Sequence, residues 1–237
     1  ASGVVLRGEG MSDVGTILIG RNLVDQDVWT NPSVLIKIAG SAGCKALEET
    51  KQAILDSYIP VGAKSFKVSS AKGFKVGDNV LVRRIGNQAW IDKLGMNEEK
   101  VKQYSWKPFI IEYDRVMVAI EGNKITVDAP LFCAIDSQWG GGEIVRYDDA
   151  ERIEKVGIEN IRAISQYNPE VRTTKYDNID RRPYTDGRVP YEGGEYYADQ
   201  NHFWFFIGID NSRNVWVRNI SVLNFTNGLV KVLPGAK

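Results

Sequence analysis

Two segments decide the fold: Lys155-Val156-Gly157-Ile158-Glu159-Asn160-Ile161 and Asn214-Val215-Trp216-Val217-Arg218-Asn219-Ile220. Both read x-Val-x-(Ile/Val)-x-Asn-Ile. Apolar residues alternate with other residues along each segment, which predicts a strand with one buried face. We expect the Asn to occupy the next inward position, where the amides of successive turns can bond to one another. Repeated strands of this kind predict a parallel β-solenoid, with similar turns stacked along an axis.

Short aliphatic runs extend this pattern outward from the repeat. Residues 4–7, 16–19 and 34–38 contain β-branched residues near Gly, Asn or Pro, and they are predicted to be strands. A Glu121-Gly122-Asn123 turn between alternating segments instead predicts an antiparallel hairpin. We therefore divide the chain into three parts: an N-terminal β-helix part (1–59), an inserted β-rich module (60–130) and a continued β-helix (131–237).

Composition excludes several classes of protein. The 237 residues include 30 basic and 30 acidic residues, so the formal net charge is zero. A nucleic-acid-binding protein would need a basic surplus. The single His excludes a His-rich metal site, and no apolar run approaches the roughly 20 residues of a membrane span. Strand-like patterns reach both ends, so we expect this chain to be the middle of a longer protein.

Four segments carry a resemblance to a known family. They are residues 3–10, residues 65–82, Gly157-Ile158-Glu159-Asn160-Ile161 and Asp199-Gln200-Asn201-His202-Phe203-Trp204. The chain resembles the pectate-lyase-like superfamily of right-handed parallel β-helices, and more narrowly bacterial β-helix proteins described as glycoside-hydrolase-like. The resemblance implies an all-β, right-handed parallel β-helix with a polysaccharide groove, in a secreted, periplasmic or cell-surface protein. This fold hosts hydrolases, lyases and non-catalytic binders.

Catalytic candidates lie where a long Tyr-rich polar loop, residues 166–198, meets a strand. His202 has an unperturbed pKa near neutrality, and Asp199, three residues earlier, can orient it or act as an acid. A glycoside hydrolase needs two carboxylates across the scissile bond, and Glu195 or Asp210 is the predicted partner of Asp199. In a lyase, His202 would be the base. The alternative for His202 is a partly buried ring bonded to the backbone.

Flat aromatic faces and cationic side chains are predicted to bind the substrate. Tyr rings of the loop can stack on sugars, and an Arg binds a uronate or sulfate through two parallel hydrogen bonds. Arg218 would neutralise the substrate carboxylate in a lyase, or else be a solvated residue. The predicted substrate-binding residues are Trp204, Arg218, Tyr197, Tyr191 and Arg146.

These residues predict a carbohydrate-active enzyme that cleaves an acidic or substituted polysaccharide, with hydrolysis ahead of β-elimination. A non-catalytic carbohydrate-binding protein or adhesin is the alternative. No cofactor or metal is expected, except Ca²⁺ if the enzyme is a lyase. The expected partners are the polysaccharide and further β-helix rungs from missing parts of the chain or another chain, without nucleic acid. Cys44 and Cys133 are interpreted as free thiols, with a disulfide as the alternative.

Overall fold

The chain is predominantly β-structure. A computed structural model of the protein describes residues 1–21, 32–97, 106–173, 196–199, 201–233 and 235–237. These residues form two compact units: the first unit comprises residues 1–43 and 151–237, and the second unit comprises residues 44–150. The all-β class predicted from the sequence is confirmed.

In chain order, the second unit is inserted between two parts of the first unit. The first unit begins with β1 (Val5–Arg7), β2 (Thr16–Arg21) and β3 (Val34–Ala39). The second unit contains β4 (Lys45–Ala46), β5 (Gln52–Ala53), β6 (Tyr58–Ile59), β7 (Ser65–Lys67), β8 (Asn79–Gly86), α1 (Gln88–Lys93), β9 (Phe109–Glu121), β10 (Lys124–Val127), β11 (Ile135–Asp136) and β12 (Gly142–Asp148). The first unit resumes with β13 (Ile153–Gln166), β14 (Arg172–Thr173), β15 (Tyr196–Tyr197), β16 (Phe205–Asp210), β17 (Ser212–Leu223) and β18 (Gly228–Val232).

Two parallel sheets form most of the first unit, and β14 and β15 pair antiparallel in a separate two-stranded sheet. In one sheet, β1 and β2 both pair with β13, which pairs with β17; in the other, β3 and β18 flank β16. The predicted stacking of the two deciding segments is confirmed, because Val156 pairs with Val215 and Ile158 pairs with Val217 in parallel register. Side chains from both sheets share one hydrophobic cluster, in which Ile158 and Phe206 are almost fully buried. The chain thus visits both sheets repeatedly and encloses a common core.

The repeated Asn residues lie at backbone corners rather than in the predicted inward positions. Asn160 and Asn219 have φ angles of 56° and 53°, a left-handed conformation that Asn tolerates better than most residues. Asn160 is half-buried and Asn219 is exposed. The expected bond between amides of neighbouring turns is present, since Asn219 Nδ2 donates to Asn160 Oδ1 at 2.9 Å. The Asn therefore both shapes the corner and joins adjacent strands.

The second unit is built mainly from antiparallel strands. Its largest sheet has the order β4-β12-β8-β9-β10-β7, with β5 also paired to β12, and β6 pairs with β11. The predicted hairpin is present: β9 and β10 pair antiparallel around the 121–123 turn, where Gly122 has a φ of 60°. The hydrophobic core of this unit includes Val82, Met117 and Ile144, each completely buried.

The second unit is wider than the predicted module of residues 60–130. Strand β12, residues 142–148, was expected to resume the β-helix, but it pairs antiparallel with β8 and with β4 and β5. A period-two pattern is common to parallel and antiparallel strands, so the sequence did not distinguish between the possible partners. The observed boundaries therefore lie at 43/44 and 150/151.

Candidate functional site

His202 occupies a buried, hydrogen-bonded position. The residue is 8% exposed, its Nδ1 lies 3.0 Å from Ser165 Oγ, and its Nε2 lies 3.3 Å from Thr226 Oγ1. Burial lowers the pKa of His202 below its ordinary value of 6.5, against the opposing effect of the Asp199 charge. The neutral ring therefore connects β13 with the segment between β17 and β18.

The carboxylate of Asp199 is engaged by the backbone of the same region. Its Oδ2 accepts a hydrogen bond from the N–H of Asn168 at 2.6 Å, and its Oδ1 accepts one from the N–H of Asn201 at 2.8 Å. Asp199 also lies close enough to His202 for its charge to act on the ring. The carboxylate therefore holds the backbone at Asn168 and Asn201, which is a common role of Asp in turns.

Other predicted site residues are dispersed over the chain. Asp210 ends β16 and its Oδ2 lies 3.5 Å from the Nζ of Lys37. Trp204 is 7% exposed, so its indole belongs to the interior. Arg146 lies in the second unit, where its Nε is 3.3 Å from Asp78 Oδ2. Two further predicted residues, Glu195 and Tyr191, lie outside the described residues.

Tyr197 presents an aromatic surface beside the Asp199 region. The residue is 53% exposed, and its ring meets that of Tyr167 edge-on with the centroids 5.4 Å apart. The guanidinium carbon of Arg172 lies 4.5 Å from the centre of the Tyr197 ring. Tyr167 in turn lies 6.2 Å from His202, measured between ring centroids. An exposed ring is suited to packing against a sugar, and the binding role of Tyr197 stays a prediction.

A second arrangement of charged residues crosses the outer face of the β1–β13–β17 sheet. Arg7, Glu159 and Arg218 are paired in parallel register on these three strands. Arg7 Nε lies 2.8 Å from Glu159 Oε2, and Arg218 Nη2 lies 3.0 Å from Glu159 Oε1. The Glu159 side chain is 1% exposed, whereas those of Arg7 and Arg218 are 60% and 62% exposed. We call these three residues the Arg-Glu-Arg row.

The hydrogen-bond donors around Glu159 keep its carboxylate ionised. The indole N–H of Trp216 donates to Glu159 Oε1 at 2.5 Å. This bond, followed by the contacts with Arg218 and Arg7, outweighs desolvation and lowers the pKa of Glu159 from 4.5 to about 2. A carboxyl group with so low a pKa is not a proton donor near neutral pH. Glu159 is therefore suited to orienting its neighbours rather than to acting as a general acid.

Trp216 lies across the backbone of its neighbouring strand. Gly157 pairs with Trp216, and a Cβ atom at position 157 would overlap the indole ring. The absence of a side chain at Gly157 therefore provides the space that the ring occupies. The N–H bond to Glu159 fixes the indole at its polar edge. The half-buried ring is held in one orientation, beside two exposed guanidinium groups.

Sequence reasoning selected Arg218 but not Glu159, Arg7 or Trp216. A usable signal was present, because Glu159 and Arg218 occupy the same position of the repeat x-Val-x-(Ile/Val)-x-Asn-Ile. Opposite charges at one position of stacked repeats face each other across neighbouring strands. Recognising Arg7 as the third member required the register between β1 and β13.

The described residues were also compared with the requirements of a metal site and of a membrane-spanning helix. Among these residues, no group of three or more His, Cys, Asp or Glu side chains is arranged to hold a metal ion. No described helix has the length and hydropathy needed to cross a membrane. Cys44 and Cys133 are both half-buried and are not joined by a disulfide.

Comparisons with known proteins identify structural similarity only. No protein-family model and no curated protein matches the chain. Similar solved structures include the tailspike gp61 of Pseudomonas phage phi297, with 12% identity over 97% of this chain and 38% of that chain and a TM-score of 0.38. The tailspike gp49 of Pseudomonas phage LKA1 has 12% identity over 99% of this chain and 43% of that chain, with a TM-score of 0.35.

A third similar structure is the Gp54 tailspike of Acinetobacter baumannii bacteriophage AP22, solved in complex with A. baumannii capsular saccharide. It has 11% identity over 91% of this chain and 31% of that chain, with a TM-score of 0.34. The chain therefore spans less than half the length of each of these three tailspikes.

Proposed function

We propose that the first unit binds an acidic polysaccharide on the outer face of its β1–β13–β17 sheet. The observation that carries this proposal is the Arg-Glu-Arg row, in which two exposed guanidinium groups flank one buried carboxylate. The row has one positive charge in excess. Each Arg uses part of its donor set to hold Glu159, and its planar head remains exposed for a carboxylate or sulfate of the ligand.

The indole of Trp216 supplies the apolar part of the same site. Pyranose rings have faces of C–H groups that pack against the negative face of an aromatic ring. Trp216 is fixed by Glu159 and by the space over Gly157, so little rotational freedom is lost when a sugar binds. Binding to a preorganised surface costs less than binding to a mobile one. The combination favours a sugar that has both an apolar face and an anionic substituent.

The arrangement of the first unit supports a right-handed parallel β-helix as the scaffold of this site. Its strands alternate between two parallel sheets, and strands of the same sheet stack in register. Parallel strands joined by a crossover are right-handed in about 98% of cases. Stacked strands of this kind form an extended lateral surface, which is suited to a polymer with repeated units.

The direct test compares two double substitutions in the first unit, each of which removes two positive charges. Arg7→Gln/Arg218→Gln removes both exposed guanidinium groups of the row. Lys37→Gln/Arg213→Gln removes two positive charges elsewhere in the same unit, where they pair with Asp210 and Glu154. Affinity for polygalacturonate, measured by calorimetry at low salt, should fall at least about tenfold only in the first variant. Equal affinities of the two variants would refute the proposed site.

Cleavage of the polysaccharide is the second part of the proposal, with hydrolysis favoured over elimination. It rests on Asp199, which is two residues from the exposed Tyr197 and whose charge acts on the buried His202 ring. New reducing ends alone would indicate hydrolysis, and new ultraviolet absorbance would indicate elimination. A positioned acid or base contributes at least about 100-fold to the rate, so Asp199→Asn should reduce turnover by this factor. Binding without either product would restrict the function to recognition.

A further inference from the structure

A cluster of three aromatic residues lies at the surface of the second unit. The ring centroids of Trp90, Trp106 and Phe109 are 5.7–5.8 Å apart, in tilted or edge-on pairs. Trp106 is 41% exposed and Phe109 is 37% exposed. Leu94 and Ile110, which are 51% and 50% exposed, are close to these residues in sequence. We call Trp90, Trp106 and Phe109 the aromatic patch.

Regular structure holds the aromatic patch in place. Asn87 caps α1, and its side chain accepts a hydrogen bond from the backbone N–H of Trp90 at 2.9 Å. Phe109 begins β9 and pairs with Gly86 at the end of β8. The N–H of Trp106 donates to the carbonyl oxygen of Met96 at 3.1 Å. The three rings are therefore preorganised by a helix, a strand and a backbone hydrogen bond.

Arg84 lies against the aromatic patch. Its guanidinium carbon is 4.1 Å from the centre of the Trp90 ring, and the residue is only 8% exposed. Within the described ranges, its Nη1 is buried without a hydrogen-bond partner. The adjacent Arg83 differs, because it contacts the carboxylates of Glu48, Glu112 and Glu143. One of two neighbouring buried cations is thus neutralised by carboxylates, and the other rests on an indole.

Arg84 and the exposed rings together favour a ligand that has both an anionic group and an apolar face. A buried cation without an anionic partner is costly, and a cation–π contact offsets only part of that cost. An anion near the patch would gain from this charge, which is poorly screened by solvent. The exposed rings, for their part, favour a ligand with an apolar face.

We infer that the aromatic patch is a second saccharide-binding site, specific for a sugar ring that bears a carboxylate. The ring packs on Trp106 and Phe109, and the carboxylate is oriented towards Arg84. This site is built from residues of the second unit alone and does not require the Arg-Glu-Arg row. Single-stranded nucleic acid also combines flat rings with negative charge, but 30 acidic residues balance the 30 basic residues of this chain, and nucleic-acid binding requires a basic surplus.

The test uses the whole chain with the first site already removed. In the Arg7→Gln/Arg218→Gln background, we compare Trp106→Ala, Arg84→Gln and the control Phe132→Ala. Phe132 belongs to the second unit and is 70% exposed, so it controls for loss of an exposed aromatic side chain. The probes are trigalacturonate, its neutral counterpart maltotriose, and oligo(dT), with affinity measured by calorimetry and folding checked by circular dichroism.

The background protein is expected to bind trigalacturonate more tightly than maltotriose. Trp106→Ala and Arg84→Gln should each weaken trigalacturonate binding about tenfold, the effect of losing one stacking or charge-assisted contact. Phe132→Ala should bind like the background. If Arg84→Gln does not fold, the exposed Trp106 variant decides the result.

Three results would overturn the inference. They are trigalacturonate binding that is unchanged by Trp106→Ala, no binding of trigalacturonate by the background protein, and tight binding of oligo(dT) alone. The Arg7 and Arg218 substitutions are compared separately with the unsubstituted protein. Failure of the first site therefore leaves the result for the aromatic patch unaffected.

Discussion

Asn219 donates a hydrogen bond from its side-chain amide to that of Asn160 at 2.9 Å, and both residues have positive φ angles. The two functions of Asn219 can be separated by substitution. Asn219→Ala loses the amide bond and retains the left-handed backbone, so the free energy of unfolding should fall by about 2 kcal/mol. Asn219→Gly loses only the amide bond and should cost about half as much. Chemical denaturation measures both values, and equal losses would contradict the backbone role.

A substitution at Lys155 is expected to stabilise the protein, because this residue also has a left-handed backbone conformation. It has a φ of 56°, and its neighbour in register, Asn214, has a φ of 53°. Lys155→Asn places a tolerant residue in the left-handed conformation and should raise the free energy of unfolding by about 0.5–1 kcal/mol. Lys155→Ala, which removes the same side chain but keeps the backbone strain, is the matched control. A stabilisation of equal size in both variants would attribute the effect to the lost Lys side chain instead.

The corners explain how far the sequence determined the fold. Alternation correctly predicted that Val156 and Ile158 face a core. It placed Asn160 inward because the pattern was continued through that position. The left-handed conformation of Asn160 shifts the inward positions by one residue, so that Ile161 is 1% exposed, while β13 continues in the same direction. A positive φ angle is a property of the folded backbone that an Asn permits but does not require. The sequence therefore predicted the repeated strands, but it did not predict the left-handed backbone at Asn160.

The candidate site was less predictable than the fold for a related reason. The sequence located Asp199 and His202 at the junction of a polar loop and a strand, and they do lie together. The side-chain hydrogen-bond partners of His202 come from other segments: Ser165 is 37 residues and Thr226 is 24 residues away. Tertiary packing buries the ring, and this burial lowers the pKa of His202. Local sequence indicates which groups are titratable, but tertiary contacts determine which of them remain accessible.

Acid should weaken the protein through Glu159. The folded-state pKa of about 2 lies below the ordinary value of 4.5, so the unfolded chain binds the proton first as the pH falls. The stabilisation from Glu159 is complete above about pH 4.5 and is lost as the pH falls towards 2. Glu159→Gln should be less stable at neutral pH and should show a flatter dependence of the denaturation midpoint within this window. An unchanged slope would show that the carboxylate is not the responsible group.

His202 should control stability in a higher pH range. Burial lowers its pKa in the folded protein below 6.5, so protonation favours the unfolded chain. Stability is therefore complete above pH 6.5 and falls as the pH decreases from that value towards the folded-state pKa. His202 is the only His of the chain, and His202→Gln should abolish this part of the pH dependence. Retention of the same profile in His202→Gln would contradict the buried, neutral imidazole.

Gly157 and Trp216 provide a test of the preorganised binding surface. Gly157→Ala introduces a methyl group into the space of the indole, which should displace the ring and lower the free energy of unfolding by about 1–3 kcal/mol. The control Gly10→Ala has no such conflict, because the atom nearest to the added Cβ is 3.9 Å away.

The double substitution Gly157→Ala/Trp216→Ala isolates the contact between these two residues. Once the indole is absent, the added methyl group has space, so the double variant should be more stable than the sum of the single effects predicts. Gly157→Ala should also weaken polygalacturonate binding, since the displaced indole no longer has a fixed orientation. We would measure unfolding and binding for all four proteins of the cycle. Strict additivity of the stability changes would refute the steric relationship, and unchanged binding by Gly157→Ala would exclude Trp216 as part of the polysaccharide site.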